Sequence, residues 1–271
     1  MNIIVTTIIL LSSCVNRDST NNQSGADFML FQKTPAWNLA KATKDQDIDA
    51  IKKEISLTKN LLSFREPKYG ETVLQLAVMN QKLKSVETLL DLGADPNAPD
   101  TYDGSSPMLE AAKLNNEFSG GGDTRFLKLL LKHGGNPNAE EKTVRRKENS
   151  SRHTALLNAC SSGVLEYVKI LVEAGAKVNY TNEFGENALY SAIVAKNPEI
   201  VIYLLNSGAD YTRPMATYPE VNLPGVRKKI SNLTICDALR SWRFEIGLPE
   251  YQKKMEILDF LRKHGINCGK S

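Results

Sequence analysis

Sixteen residues separate Ala77 from Gly93, Ala159 from Gly175 and Ala192 from Gly208. A small-residue-to-glycine spacing that returns unchanged leaves few folds open. In the best-preserved copy, Tyr69 to Ala98, Gly70 opens a turn and Thr72 is placed to cap a helix. Leu74, Leu76 and Ala77 give that helix one apolar face. Asn80 and Gln81 interrupt it. Leu83, Val86, Leu89 and Leu90 then form a second stripe, three and four residues apart, as one side of a helix requires. Gly93 can adopt the left-handed conformation that ends such a helix, and Asp95, Pro96 and Asn97 lead into an extended turn. A unit of about 33 residues, made of a turn, two antiparallel helices and a loop, cannot bury both helical faces alone, so copies must stack.

Gly-Ala-Asp-Pro-Asn at 93–97 returns as Gly-Gly-Asn-Pro-Asn at 134–138, Gly-Ala-Lys-Val-Asn at 175–179 and Gly-Ala-Asp-Tyr-Thr at 208–212. Each follows a hydrophobic pair: Leu89-Leu90, Leu130-Leu131, Leu171-Val172, Leu204-Leu205. Further upstream stand Thr72-Val-Leu-Gln-Leu-Ala77, Ser106-Pro-Met-Leu-Glu-Ala111, Thr154-Ala-Leu-Leu-Asn-Ala159 and Asn187-Ala-Leu-Tyr-Ser-Ala192. The pattern resembles the ankyrin repeat, whose signature is Thr-Pro-Leu-His-x-Ala. The resemblance implies an all-α ankyrin-repeat solenoid of about six helix-turn-helix units with extended finger loops. The units are expected near 35–66, 68–100, 102–139, 150–180, 182–212 and 231–267, inside a solenoid spanning 34–268. The signature histidine is missing from all four copies, which implies weaker hydrogen bonding between repeats.

At 271 residues and 41% hydrophobic, the chain can bury an ample core. Its 34 basic and 31 acidic residues leave a charge of +3, too little to argue for nucleic acid.

An apolar run at 3–11 is followed by Leu11-Ser12-Ser13-Cys14. The run is too short to span about 30 Å of hydrocarbon as a helix and fits the core of a secretory signal peptide over 1–13. The tetrapeptide resembles the bacterial lipobox, which implies that Cys14 is diacylated and becomes a palmitate-type membrane anchor. No Lys or Arg precedes Leu11. Cleavage near Ser13 without lipidation, or a merely buried apolar start, are the alternatives. Residues 14–33 read as a flexible tether, since Asn, Ser, Thr and Gln dominate up to Gly25. About 20 such residues have a mean span near 25 Å. The apolar cluster Phe28, Met29, Leu30, Phe31 is expected to pack on the first repeat or cover its open end. Val15 stands where an aspartate would favour inner-membrane retention. The expected location is therefore the bacterial cell envelope, on the periplasmic face, with the outer membrane favoured.

The first unit is degenerate, and its charges (Lys41, Lys44, Asp45, Asp49, Lys52, Lys53) suit a terminal cap. In the third unit, twenty-three residues separate Ala111 from Gly134. The excess falls near Asn115 to Asp123, whose three consecutive glycines lack the strand and Lys-Ser/Thr of a phosphate loop. A second, charged insertion lies between Asn138 and Thr154, where fingers project. Pro198 fits the first turn of a helix. In the last unit Ile235, Ala238 and Leu239 are assigned to the inner helix, and Met255, Leu258 and Leu261 line the outer one. Arg262 replaces an apolar residue there, and Trp242 is expected to cover the last core layer.

Catalytic chemistry finds no support. His133, His153 and His264 fall in different repeats. No His/Cys/carboxylate spacing suits zinc, and no cysteine is arranged with histidine as a nucleophile pair. No enzyme activity, metal or cofactor is expected. Export would permit disulfides. Cys160 and Cys236 are about 20 Å apart in a regular stack, beyond bridging range. Cys236 with Cys268 is open within the last unit, but buried small hydrophobes are the expectation.

The resemblance implies a monomeric, membrane-tethered protein-protein interaction module. Its binding candidates are exposed inner-helix positions Met79, Asn80, Lys113, Leu114, Ser161 and Ser162, and finger positions Tyr102, Asp103, Arg145, Arg146, Tyr180, Phe184, Tyr211 and Tyr218. An immunity or inhibitor protein against a secreted toxin, an envelope scaffold and a cytoplasmic ankyrin effector are the functions considered.

Overall fold

Thr72 Oγ1 accepts a hydrogen bond from the Gln75 amide at 3.2 Å. The same register caps every later inner helix: Ser106 accepts from Leu109, Thr154 from Leu157, Asn187 from Tyr190 and Thr234 from Asp237. One short polar side chain per copy thus sets where each inner helix after the first begins. The computed structural model describes residues 25–114, 122–141, 152–213 and 234–269. Cys14, the segment 1–13, the start of the tether, and the candidates Arg145, Arg146 and Tyr218 lie outside the described residues.

Among the described residues, twelve α-helices pair in chain order as six hairpins. These are α1 (Trp37–Asp45) with α2 (Ile48–Leu57), α3 (Val73–Met79) with α4 (Leu83–Asp91), and α5 (Pro107–Ala111) with α6 (Thr124–Lys132). They continue as α7 (Ala155–Ser162) with α8 (Leu165–Glu173), α9 (Ala188–Val194) with α10 (Pro198–Asn206), and α11 (Ile235–Arg240) with α12 (Pro249–Lys263). Inner helices touch inner helices in order, and outer helices touch outer ones. A single apolar core runs through the stack from Phe28 to Cys268. Extended pairing among the described residues is limited to isolated bridges at finger bases, such as Thr181 with Asn187. The fold is the expected all-α solenoid.

The Gly-x-x-x-Asn motif has a structural reason that spacing alone did not supply. Asn97 Nδ2 donates to the Gly134 carbonyl at 2.9 Å, and Asn97 Oδ1 accepts from Asn136 N at 2.7 Å. Asn138 repeats this with Gly175 and Lys177, and Asn179 with Gly208 and Asp210. Each amide staples one loop to the next. Thr212 takes the asparagine position in the fifth unit and instead bonds Asp210, so the ladder stops there. Replacing Asn138 by alanine should cost about 1–2 kcal/mol, since two partly solvated bonds are lost. Denaturant titration would measure it, and an unchanged midpoint would contradict the staple.

Gly135 departs from the alanine of other copies for want of room. A Cβ there would lie 2.8 Å from both the Leu130 carbonyl oxygen and the Met108 sulfur. Met108 occupies the volume that the alanine methyl fills elsewhere. Gly93 has φ +94°, the left-handed conformation that reverses the chain after α4.

The missing histidine is partly made good. Gln75 stands at its position in the second unit and donates to Asp100 Oδ2 at 3.0 Å and to the Ser105 carbonyl at 3.4 Å, both in the next finger. The expected weakening between repeats does not apply at this junction.

Both ends are closed. Asp27 accepts from Met29 N at 2.9 Å and starts a 3-10 turn over Phe28–Phe31, whose Phe28, Leu30 and Phe31 are buried. The last residues of the segment expected to be flexible therefore form a packed strap, pinned where Asn80 donates to the Ala26 carbonyl at 2.7 Å. At the far end Trp242 is 2% exposed, and its indole N–H donates to the Ile193 carbonyl at 3.0 Å. Arg262 faces solvent and pairs with Asp259.

Two expectations about the last unit are corrected. The inward stripe of α12 is Lys254, Ile257 and Leu261, while Met255 is 37% exposed. Lys254 buries its stem, and its ammonium donates to the Trp242 carbonyl at 3.0 Å. Periodicity that counts only apolar residues misses such a lysine. Second, Cys236 and Cys268 are not separate small hydrophobes. They form a disulfide, with Cα atoms 5.0 Å apart. Cys160 is free and buried.

Candidate binding face and family

Among the described residues, three fingers are each shaped by one acceptor side chain. Glu66 accepts from the amides of Lys68, Tyr69 and Glu71. Asp100 Oδ1 accepts from Tyr102, Asp103 and Gly104 at 2.9–3.0 Å. Asn182 Oδ1 accepts from Phe184 at 3.0 Å and Glu186 at 2.9 Å. These three were not among the candidates, yet they fix the finger backbones. Their recurrence before a glycine or turn was the available signal. Asp100 is held up at a pKa of about 6, chiefly by burial and then by the charge of Asp103.

Polar groups link the inner helices to the fingers. Lys113 Nζ meets Glu110 at 3.2 Å and Glu141 at 3.1 Å, while Ser105 Oγ donates to Glu110 at 2.5 Å. Burial works against the Lys113 ammonium, but Glu110, Glu141 and Asp103 outweigh it and its pKa rises. His153 Nδ1 lies 3.0 Å from Asn158 Oδ1, and its Nε2 lies 3.4 Å from Glu186. Burial opposes the charged imidazole there too, yet Glu186, Glu141 and Asn158 raise its pKa on balance. The His153 hydrogen bond in turn lowers that of Glu186. Tyr180 donates to the Arg152 carbonyl at 3.2 Å. Its pKa is pushed up to about 12, by burial first and by Glu140 next.

The candidates are thus unequal. Lys113 and Asp103 gather around the Ser105–Glu110–Glu141 group, while Tyr102 sits edge-on to Tyr69 at 5.4 Å. Ser161 is exposed, and Met79 and Phe184 are half-buried. Leu114 packs against the core. Ser162 is held by the carbonyls of Ala112 and Ala159, which joins two units. Asn80 belongs to the N-terminal strap, where its amide is already spent. Tyr211 lies against Phe260 and His264 of the last unit, at 5.8 and 6.0 Å. Among the described residues no group of three or more His, Cys, Asp or Glu side chains could hold a metal ion. No described helix is long and apolar enough to cross a membrane.

A family model described as "Ankyrin repeats (3 copies)" matches residues 111–215, and one described as "Ankyrin repeat" matches 69–101. Together they cover just over half the chain. The chain belongs to the ankyrin-repeat family. This ankyrin-repeat protein is 36% identical over 121 residues to Protein PhlB of Serratia liquefaciens, spanning 45% of this chain and 47% of that protein. It is 28% identical over 207 residues to putative ankyrin repeat protein L92 of Acanthamoeba polyphaga mimivirus, spanning 65% and 48%. It is 28% identical over 145 residues to human transient receptor potential cation channel subfamily A member 1, spanning 53% and 11%. The chain spans less than half the length of these curated relatives. Ankyrin-repeat proteins are generally protein-protein interaction modules, and stacked repeats present an extended surface for that purpose.

Proposed function

We propose that the chain is a lipid-anchored binding protein of the bacterial cell envelope, whose inner helices and fingers grip a protein partner. Cys14 carries the anchor and the polar segment after it is the tether. The observation that carries this reading is the finger architecture. Glu66, Asp100 and Asn182 fix each described loop through its own backbone amides, so little entropy is lost when a partner docks. The Cys236–Cys268 disulfide supports an oxidising compartment. The likeness to a Serratia protein supports a bacterial setting. The partner proposed is a secreted toxin, neutralised at the membrane it would reach.

Metabolic labelling with a palmitate analogue tests the anchor. Wild type should incorporate label and fractionate with membranes, and Cys14→Ala should lose both completely. An unlabelled wild type would remove the anchor and favour a cytoplasmic effector. A pull-down from native envelope, read by mass spectrometry, tests the partner. Recovery of housekeeping envelope proteins instead of a toxin would favour a scaffold.

A further inference from the structure

The last repeat differs from the other five in what holds it in place. In the preceding units, the two helices of each hairpin pack on one another as well as on their neighbours. In the last unit α11 packs on α9 and α12 packs on α10. The pair is held to the preceding unit more than to itself. Helix α11 has only six residues, too few to be stable alone. The asparagine ladder has also ended, since Thr212 makes no staple to a following loop. The two helices are joined by the disulfide between Cys236 on α11 and Cys268 beyond α12. Arg240 reinforces that join by donating to the Cys268 carbonyl at 3.0 Å.

We infer that the Cys236–Cys268 disulfide is a redox lock on the terminal repeat, and that the C-terminal end of the binding face is complete only in the oxidised protein. The lock bears on the binding role proposed above but does not depend on lipidation of Cys14. Closure is a thiol–disulfide exchange. A dithiol oxidoreductase in its oxidised form surrenders its own S–S bond. The Cys236 and Cys268 thiols lose two protons and two electrons as their S–S bond forms, and the oxidoreductase leaves as its dithiol. In the reduced protein α11 keeps its packing on α9, the contacts around Trp242 and the single Arg240 bond to the Cys268 carbonyl. Asp237 and Arg240, both exposed on α11, then lose their fixed positions on the face.

Hydrogen exchange of the full chain, before and after reduction with a phosphine, tests this. On reduction, amides of α11 and of 264–269 should exchange at least tenfold faster, while α3 to α8 keep their protection. In a Trp37→Phe background, Trp242 emission should shift to the red on reduction and return on reoxidation. A Cys236→Ser, Cys268→Ser double variant should behave as the reduced protein whatever the redox conditions. Unchanged exchange and emission after verified reduction would overturn the lock, as would loss of protection throughout the stack. Two alkylatable thiols at 236 and 268 in protein recovered from an oxidising compartment would also overturn it. None of these readouts depends on whether Cys14 carries lipid.

Discussion

Phe126→Ala is expected to destabilise the protein by about 3–5 kcal/mol, the usual cost of removing a large buried ring. Phe126 is 1% exposed and sits in the outer helix α6. That helix packs against α4 on one side and α8 on the other, so one cavity damages two interfaces. In a linear stack, stability is roughly a sum of unit and neighbour terms. A lesion at the third of six units should therefore divide the protein into an N-terminal and a C-terminal block. Urea unfolding should broaden or split, where a lesion in an end unit would lower one transition only. A midpoint within the error of wild type would contradict the continuous core.

Asp100→Asn is expected to stabilise the protein by about 1–3 kcal/mol at neutral pH, from a shift of roughly two pKa units at 1.36 kcal/mol each. Asp100 is 4% exposed, and its folded pKa of about 6 exceeds the ordinary 3.8. The folded state therefore holds the proton more tightly than the unfolded chain. That contribution is fully present below about 3.8 and is lost as pH rises through about 6. At neutral pH the folded wild type carries a buried carboxylate beside Asp103. Asparagine has no charge to bury, and Asn182 shows that an amide can organise the same loop. Gln75 Nε2 donates to Asp100 Oδ2 in the wild type, so the Gln75 amide must turn over to accept from the new side-chain nitrogen. Chemical denaturation at pH 4.5 and pH 7.5 checks this. Wild type should lose stability between the two values and the variant should stay level. A variant that is weaker at pH 7.5 and keeps the wild-type slope would show that the carboxylate is needed as an anion.

The repeat register was legible because it is written in residue types with few physical substitutes. A helix start needs a short polar acceptor, a close inner-helix contact needs alanine, and a left-handed exit favours glycine. Thr72, Ala77 and Gly93 meet those demands within one unit, and the hydrophobic pairs supply the outer face. The roles of Asp100 and Lys254 were not legible. Both are charged residues in segments that read as solvated, and their burial depends on partners outside their own element, Gln75 on the helix of the preceding unit for one and the Trp242 carbonyl between α11 and α12 for the other. Asn80 read as free surface for the same reason, because the strap that takes its amide comes from 54 residues earlier. The disulfide belongs with these. Thirty-two residues separate Cys236 from Cys268, and only the way α11 and α12 seat on the preceding unit brings them together.

By itself, then, the order of residues determined the helical hairpin, its capping, its reversal and the need for neighbours, because each rests on forces acting within about 33 residues. Which polar groups are buried, which candidate positions remain free for a partner and how the last unit is fastened were decided by the stack. Those properties arise from contacts between units, where burial and pairing depend on what the next repeat places opposite.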